Sequence, residues 1–468
     1  MIPEALLKSL EGVEGFDKKS FIGVHQSGEP VTSIRVNPAR NLESNPQPQT
    51  GAAADELPLV PVPWSQHGYY LPRRPSFTFD PLFHAGCYYV QEASSMFLEQ
   101  AIKQTVDLSQ PLKVLDLCAA PGGKSTHLQS LLSADSLLVS NELIKARAGI
   151  LKQNIVKWGC NNVIVTANDP QHFQKLTGFF DAVVVDAPCS GSGLFRKDEN
   201  AISEWSPENV QLCLVRQQRI LTDVLPSLKE NGVLIYSTCS YSKEENEDIA
   251  DWLAGHMNME SLPLTTGREW GIIETESDRS KALGYRFYPD KIRGEGFFLA
   301  AFRKKGSAHF KQYKPGKPNL VSSREKEALV PWFQQHDDLH FLKHETFVFA
   351  LPRVLLPDFL LVQWALYIQY TGTSCGELIR DKLIPDHALA LSPILHHGRE
   401  GVALTYDEAI TYLQRGDLQL NTTEKGWQTV HYQNHSLGWI NALPNRVNNY
   451  YPKELRILKR LNDSPFEK

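Results

Sequence analysis

Between about residues 87 and 305, short apolar runs alternate with longer amphipathic stretches, and that rhythm predicts the architecture. Leu112–Leu117 is a short apolar run, followed by a Gly/Pro turn and a helix reaching Leu132. Leu137–Ser140 and Ile144–Trp158 repeat the strand-then-helix pattern, and Val163–Ala167, Ala182–Val185 and Val233–Ser237 extend the strand series. Such alternation predicts an α/β fold, a mostly parallel, doubly wound sheet covered on both faces. Tyr285–Tyr288 and Gly296–Arg303 are extended but too close in sequence for a parallel crossover, so they predict an antiparallel hairpin at one sheet edge.

The flanks follow other patterns. Residues 1–40 predict a small unit with a helix near Pro3–Leu10 and an extended Thr32–Val36, and a Pro/Gly/Ala-rich connector follows at about 42–63. Trp64, Tyr69, Tyr70, Arg73, Arg74, Phe77 and Phe79 mix aromatic and basic side chains, a mixture that suits either stacking on bases or an ordinary core and rim. A basic stretch at 303–319 reads equally as a solvated charge run or as a phosphate-contacting segment. The expected divisions are therefore 1–86, 87–305, 306–385 and 386–468.

Composition narrows the class. Hydrophobic residues at 42% and charged residues at 22% are ordinary globular values, and no apolar run reaches the roughly 18–20 residues of a membrane span. With no basic-then-apolar leader at the start, a soluble cytoplasmic protein is expected. A net charge of −5 argues against a globally basic nucleic-acid coat but leaves room for a local basic groove. The seven cysteines include no Cys-x-x-Cys pair, so neither a zinc knuckle nor a disulfide framework is indicated. His396-His397 has no third ligand at suitable spacing, and no metal site is expected.

The candidate chemistry lies where strands end. Leu115 to Thr126 contains Gly-Lys-Ser, but Cys118 stands where a P-loop needs its first glycine, and no Gly-x-Gly-x-x-Gly is present. What remains is a Gly-rich turn that lets backbone approach a small ligand. Glu142, about twenty residues on, can take ribose hydroxyls, and Asp169, placed at the end of the third strand, can accept from an adenine amino group. An adenosine-containing ligand without a triphosphate fits, S-adenosylmethionine above all. Strands four and five end at Asp186-Ala187-Pro188-Cys189 and Thr238-Cys239-Ser240, so two cysteines are expected to face one crevice. A single strand-end cysteine is more often packing; two beside a methyl donor point to chemistry. Ser242-Lys243-Glu244-Glu245 reads as a capping box whose helix would favour a Cys239 thiolate. Methylation of pyrimidine carbon 5 requires such a thiolate, because addition at carbon 6 makes carbon 5 nucleophilic. Asp186 is then the candidate for stabilising the adduct near ring nitrogen 3.

Leu-Asp-Leu-Cys-Ala-Ala-Pro-Gly-Gly-Lys (115–124), Asp-Ala-Pro-Cys-Ser-Gly (186–191) and Ser-Thr-Cys-Ser (237–240), in that order, resemble the Sun/Fmu-type RNA cytosine-C5 methyltransferases. Gln91–Met96 resembles the entry to that family's catalytic domain, and Ser33-Ile34-Arg35-Val36-Asn37 its small N-terminal RNA-facing domain. Leu437-Gly438-Trp439 and Asn448-Asn449-Tyr450-Tyr451-Pro452 resemble the PUA-like extension of the RsmF subgroup, which modifies small-subunit ribosomal RNA. The resemblance implies a Rossmann-like class I methyltransferase domain with an antiparallel edge strand, a small N-terminal α+β domain and a C-terminal PUA-like domain. It implies Cys239 as nucleophile, Cys189 in product release and Asp186 at the target base. For S-adenosyl-L-methionine it implies Cys118, Ala119, Pro121, Gly122, Gly123, Lys124, Glu142, Arg147, Asp169 and Asp186. Where many relatives have Pro-His before the final strand this chain has Pro289-Asp290, so no role for that histidine carries over. The implied partner is RNA, ribosomal RNA or the small subunit first, transfer RNA second; no membrane partner is expected and no oligomer is indicated. A non-catalytic RNA-binding assembly factor and a dinucleotide oxidoreductase are the readings from other classes.

Overall fold

The computed structural model describes residues 2–28, 31–40, 59–306, 316–396, 401–420 and 424–459. Its central sheet contains β1 (Lys113–Asp116), β2 (Leu137–Asn141), β3 (Val163–Thr166), β4 (Phe180–Asp186), β5 (Leu228–Thr238), β6 (Leu283–Phe287), β7 (Phe297–Lys304) and β8 (Ile368–Thr371). From one edge the order is Ile273–Glu276, β6, β7, β5, β4, β1, β2, β3, β8. The β1–β5 strands pair in parallel, and β7 runs antiparallel to both β5 and β6.

The apolar runs become strands buried on both faces. In β4, Val183 and Val185 pack into the cluster on one side, while Ala182 and Val184 pack into the cluster on the other. Burying each valine is worth about 1.5–3 kcal/mol, which fixes a register that a one-residue slip would invert. Helices Gly123–Leu131, Lys145–Trp158, Pro207–Val224 and Glu247–His256 supply the crossovers. The longest starts where Ser206 Oγ accepts from the Asn209 N–H at 3.1 Å.

The expected antiparallel hairpin of β6 and β7 lies toward one edge, with Ile273–Glu276 beyond β6 as the outermost strand. One expectation about this sheet needs correction. The segment expected as a separate 306–385 unit gives β8 to the central sheet, paired antiparallel with β3. Its helix Leu356–Ala365 also shares an apolar cluster with β4 through Phe359 and Val362. Strand propensity alone does not say which sheet a strand joins.

The N-terminal unit forms a four-stranded antiparallel sheet ordered Val60–Pro61, Gly68–Leu71, Thr32–Val36, Tyr88–Val90. The connector expected at 42–63 falls mostly outside the described residues, and its last part supplies the edge strand. Among the aromatics, Trp64, Tyr70 and Phe79 are buried, so the core reading applies to them, while Arg73 and Arg74 are exposed. The strand that carries the Ser33–Asn37 motif of the N-terminal domain is buried throughout, from Thr32 to Val36. The middle of the 303–319 basic stretch lies outside the described residues.

Beyond it, Leu339–His344, Phe347–Pro352, Thr373–Ile379 and Lys382–Pro385 make one small sheet, and Val402–Ala403, Gly426–Tyr432, His435–Leu443 and Arg446–Asn449 another. Asn449 Nδ2 donates to Tyr412 O at 2.9 Å, and Trp439 Nε1–H donates to Asp386 O at 2.8 Å, so these motif residues hold the C-terminal unit together. Leu404, Ile410 and Val430 of this unit share a cluster with Ile34, Leu71 and Leu82 of the N-terminal one. Among the described residues no helix is long and apolar enough to cross a membrane.

Candidate active site

The adjacent parallel strands β4 and β5 end side by side, with Asp186 in register with Ser237. The loops that leave them bring Cys189 Sγ to 3.1 Å from Cys239 Sγ. The two sulfurs are unbonded thiols in a half-buried position. The hydrogen bond with Cys239, and then burial, push the Cys189 thiol well above its ordinary value, so Cys189 keeps its proton at neutral pH.

The Cys239 backbone is held by a close approach of two loops. Gly193 N–H donates to Cys239 O at 2.8 Å. A side chain at Gly193 would collide with the carbonyls of Gly296 and Cys239, so glycine is required there. Tyr241, next but one after Cys239, stacks on Tyr288 at 5.8 Å and meets Phe21 of the helix Lys18–Ser27 edge-on at 5.0 Å. The N-terminal unit thus abuts the cysteine loop.

Beside the thiols, Lys124 Nζ lies 2.8 Å from Asp186 Oδ2, and Ser237 Oγ donates to Asp186 Oδ1 at 2.7 Å. The Asp186 side chain is 34% exposed and Lys124 15%, so the pair is only partly buried. Burial alone would lower Lys124, but the nearby Asp186 and Asp116 carboxylates outweigh it and hold the ammonium above its ordinary value. Behind the pair, Asp116 is fully buried; Ser125 Oγ donates to Oδ2 at 2.7 Å, and Oδ1 has no partner among the described residues. Burial pushes its carboxyl up to about 7.

The Gly-rich turn is pinned from several sides. Ala119 N–H donates to Asn141 O at 2.8 Å, Asn154 Nδ2 donates to Pro121 O at 2.8 Å, and Arg147 Nη2 donates to Ala120 O at 3.0 Å. Gly122, with φ +116°, caps the following helix in the left-handed region. Arg147 also lies 3.3 Å from Glu142 Oε2 at the end of β2. Burial pushes the Cys118 thiol up, so it stays neutral in the turn. Asp169 lies three residues beyond the end of β3, where its Oδ1 accepts from Gln171 N–H at 3.1 Å and its Oδ2 stands 3.4 Å from Arg219.

The 16S rRNA methyltransferase RsmB/F profile matches residues 103–303, that of the N-terminal domain of RsmF matches residues 2–93, and that of the RsmF PUA domain residues 399–457. A ribosomal RNA small subunit methyltransferase F from Vibrio parahaemolyticus serotype O3:K6 is 30% identical over 97% of this chain and 97% of its own length. The chain belongs to the RsmB/F methyltransferase family. The relative of the same name from Psychromonas ingrahamii is likewise 30% identical over 97% of both chains. A methyltransferase homolog protein from Pyrococcus horikoshii, of known crystal structure, is 28% identical over 65% of this chain and all of its own, with a TM-score of 0.50.

In this RsmB/F chain, the residues expected from the sequence lie along the ends of β1, β2, β4 and β5, with Asp169 beyond β3. One expectation fails. Ser242 makes no capping bond, residues 243–245 form a separate 3₁₀ turn, and the α-helix starts only at Glu247. Glu245 instead turns inward, where its carboxylate accepts from Ser190 N–H, Ser190 Oγ, Ser240 Oγ and Gln217 Nε2 at 2.8, 2.5, 2.6 and 3.2 Å. A Ser-x-x-Glu spacing cannot distinguish a carboxylate that caps a helix from one needed elsewhere.

The second residue to gain a role is Arg35, from the buried strand Thr32–Val36 of the N-terminal unit. Ser33, Arg35 and Asn37 share one strand face and point into the methyltransferase domain. Arg35 donates to Gln91 Oε1 at 2.9 Å, Thr126 Oγ1 at 2.6 Å, Ser130 Oγ at 3.2 Å and Gly123 O at 3.4 Å, and lies 4.4 Å from the centre of the Trp158 ring. It braces the helix that follows the Gly-rich turn. Among the described residues no group of three or more His, Cys, Asp or Glu side chains could hold a metal ion; His397 is not among those residues.

Proposed function

We propose that the chain methylates carbon 5 of a cytosine in small-subunit ribosomal RNA, in the cytoplasm, with S-adenosyl-L-methionine as methyl donor. The observation that carries the reading is the pair of thiols 3.1 Å apart beside the Lys124–Asp186 pair. The donor fits the residues present. Acidic residues, Asp116, Glu142, Asp169 and Asp186, stand at or just past the ends of four strands, and the fully buried Asp116 Oδ1 has no protein partner among the described residues. Glu142 would take the ribose, Asp169 the adenine, and residues 118–124 with Arg147 the remainder. When bound, the cofactor supplies an electrophilic methyl group.

The chain's own residues do the rest. Cys239 Sγ bonds to carbon 6 of the cytosine, pushing electron density toward ring nitrogen 3 and making carbon 5 nucleophilic. Asp186 takes that edge of the ring, and the Lys124 ammonium 2.8 Å away opposes the charge that develops there. After transfer, a base takes the carbon-5 proton, the C–H electron pair re-forms the carbon 5–carbon 6 double bond and Cys239 leaves with the C–S pair as a thiolate; Cys189 acts at this release. The PUA-like unit and the N-terminal unit serve as RNA-binding parts.

The test is methylation of unmodified 16S ribosomal RNA by labelled cofactor, with transfer RNA in parallel. Label at cytosine carbon 5 of the ribosomal RNA is expected. Cys239→Ala should lower the rate by about 10³-fold or more and form no covalent complex, whereas Cys189→Ala should accumulate a denaturation-resistant protein–RNA adduct. An adduct with Cys239→Ala would reverse the two roles, and label only on transfer RNA would replace the substrate.

A further inference from the structure

We propose that Glu245 is the positioning residue of the thiol pair, a buried carboxylate that ties the Cys189 loop to the Cys239 loop and sets the sulfur–sulfur approach. The proposal rests on the reading of Cys239 as nucleophile and Cys189 as the release residue. Ser190 follows Cys189 directly and Ser240 follows Cys239 directly, and both hydroxyls donate to the same Glu245 oxygen, Oε2. The other oxygen accepts Ser190 N–H and Gln217 Nε2. Gln217 Nε2 also donates to Pro188 O at 3.1 Å, so the loop is gripped on both sides of Cys189.

The carboxylate itself cannot drift. Glu245 is fully buried, and its own carbonyl accepts from Tyr236 OH at 2.7 Å, on β5 just before the nucleophile loop. Neighbouring Asn246 extends the grip: its Nδ2 donates to Ser240 O at 2.8 Å and its Oδ1 accepts from Thr238 Oγ1 at 2.6 Å. No lysine or arginine forms an ion pair with Glu245 among the described residues. Four donors converge on two oxygens, the complement of an ionised carboxylate, and an amide could satisfy them only with its nitrogen facing a donor or with the hydroxyls reversed. Glu245 touches neither sulfur. It acts through the serine on the far side of each cysteine, which sets where each sulfur sits.

Glu245→Gln is the test, because it keeps the volume and changes the bonding. With 16S ribosomal RNA as substrate, kcat should fall about 100-fold while the KM for RNA stays within about twofold, as expected when a reacting group is displaced by about 1 Å. The covalent adduct should accumulate, and adding Cys189→Ala should cause no further loss of release. A second readout does not depend on methylation. Diamide takes two electrons and two protons from the two thiols as their S–S bond forms, and is itself reduced to the hydrazine. Formation of the Cys189–Cys239 disulfide, followed by mass spectrometry, should slow about tenfold in Glu245→Gln. Should that variant fail to fold, Ser240→Ala removes one of the four bonds and should slow both readouts about threefold. Release and thiol pairing at wild-type rates would overturn the proposal. Full methylation by Cys239→Ala would overturn the parent reading instead, and the pairing rate would still decide whether Glu245 sets the approach.

Discussion

Two buried charges stand behind the two halves of the site, and they are supported in different ways. Arg35 braces the cofactor half and Glu245 the thiol half, and both lack an oppositely charged partner among the described residues. Arg35 reaches across the boundary between the N-terminal sheet and the methyltransferase domain, to Ser130 and Thr126, more than ninety positions away. Glu245 acts within the methyltransferase domain, between loops that β4 and β5 already bring together. A brace that crosses domains holds the fold and the pocket at once, whereas one inside a domain adjusts a geometry that the strands have already set.

The largest expected effect comes from removing the first brace. Arg35→Met leaves Gln91 Oε1 without its donor and opens a buried site, so it should cost about 3–5 kcal/mol in urea unfolding. Burial lowers the guanidinium to about 9, so it is charged at neutral pH and its removal also changes the field around the turn. Affinity for S-adenosyl-L-methionine, measured by calorimetry, should weaken in the same variant. Glu245→Gln should leave cofactor affinity unchanged. If Arg35→Met melted like the wild type and lost only turnover, the contrast between the two braces would be inverted.

Asp116 sharpens the comparison because it is a third buried ionisable group, with far less support than Glu245. Glu245 receives four donors, whereas Asp116 receives one, from Ser125. Its folded carboxyl is pushed up from 3.8 to about 7 by burial. Between those values the unfolded chain has released the proton and the folded chain still holds it. Stability from this group therefore falls as pH rises from about 4 to about 7 and is level above that. Asp116→Asn should remove the slope, gaining about 2–4 kcal/mol relative to wild type between pH 4 and pH 7. Parallel urea midpoints for the two proteins would show that Asp116 is ionised throughout.

The strands of the central sheet were legible because their apolar runs must be buried, and the convergence of Cys189 and Cys239 followed from two parallel neighbours ending in cysteine-bearing loops. The braces were not legible in the same way. Glu245 obeys the spacing of a helix cap, and only the 3₁₀ turn before Glu247 shows that its carboxylate is used elsewhere. Arg35 lies in a Ser-Ile-Arg-Val-Asn strand whose polar residues look solvent-facing by alternation. They are buried because a second domain covers that face, which no local pattern records. Likewise β8 carries no mark of belonging to a sheet whose other strands lie far upstream.

The smallest expected effect tests whether the Arg35 brace is shared among its partners. Ser130 Oγ accepts from Arg35 Nη1 at 3.2 Å and donates to Thr126 O at 2.9 Å. Ser130→Ala removes one acceptor of several, at a cost of about 1 kcal/mol that the better helix propensity of alanine partly offsets. Gln91, Thr126 and the Trp158 ring still hold the guanidinium, so cofactor affinity and turnover should stay within about twofold of wild type. A Ser130→Ala loss as large as that of Arg35→Met would mean that a single bond, not the fork as a whole, carries the tie between the N-terminal sheet and the cofactor helix.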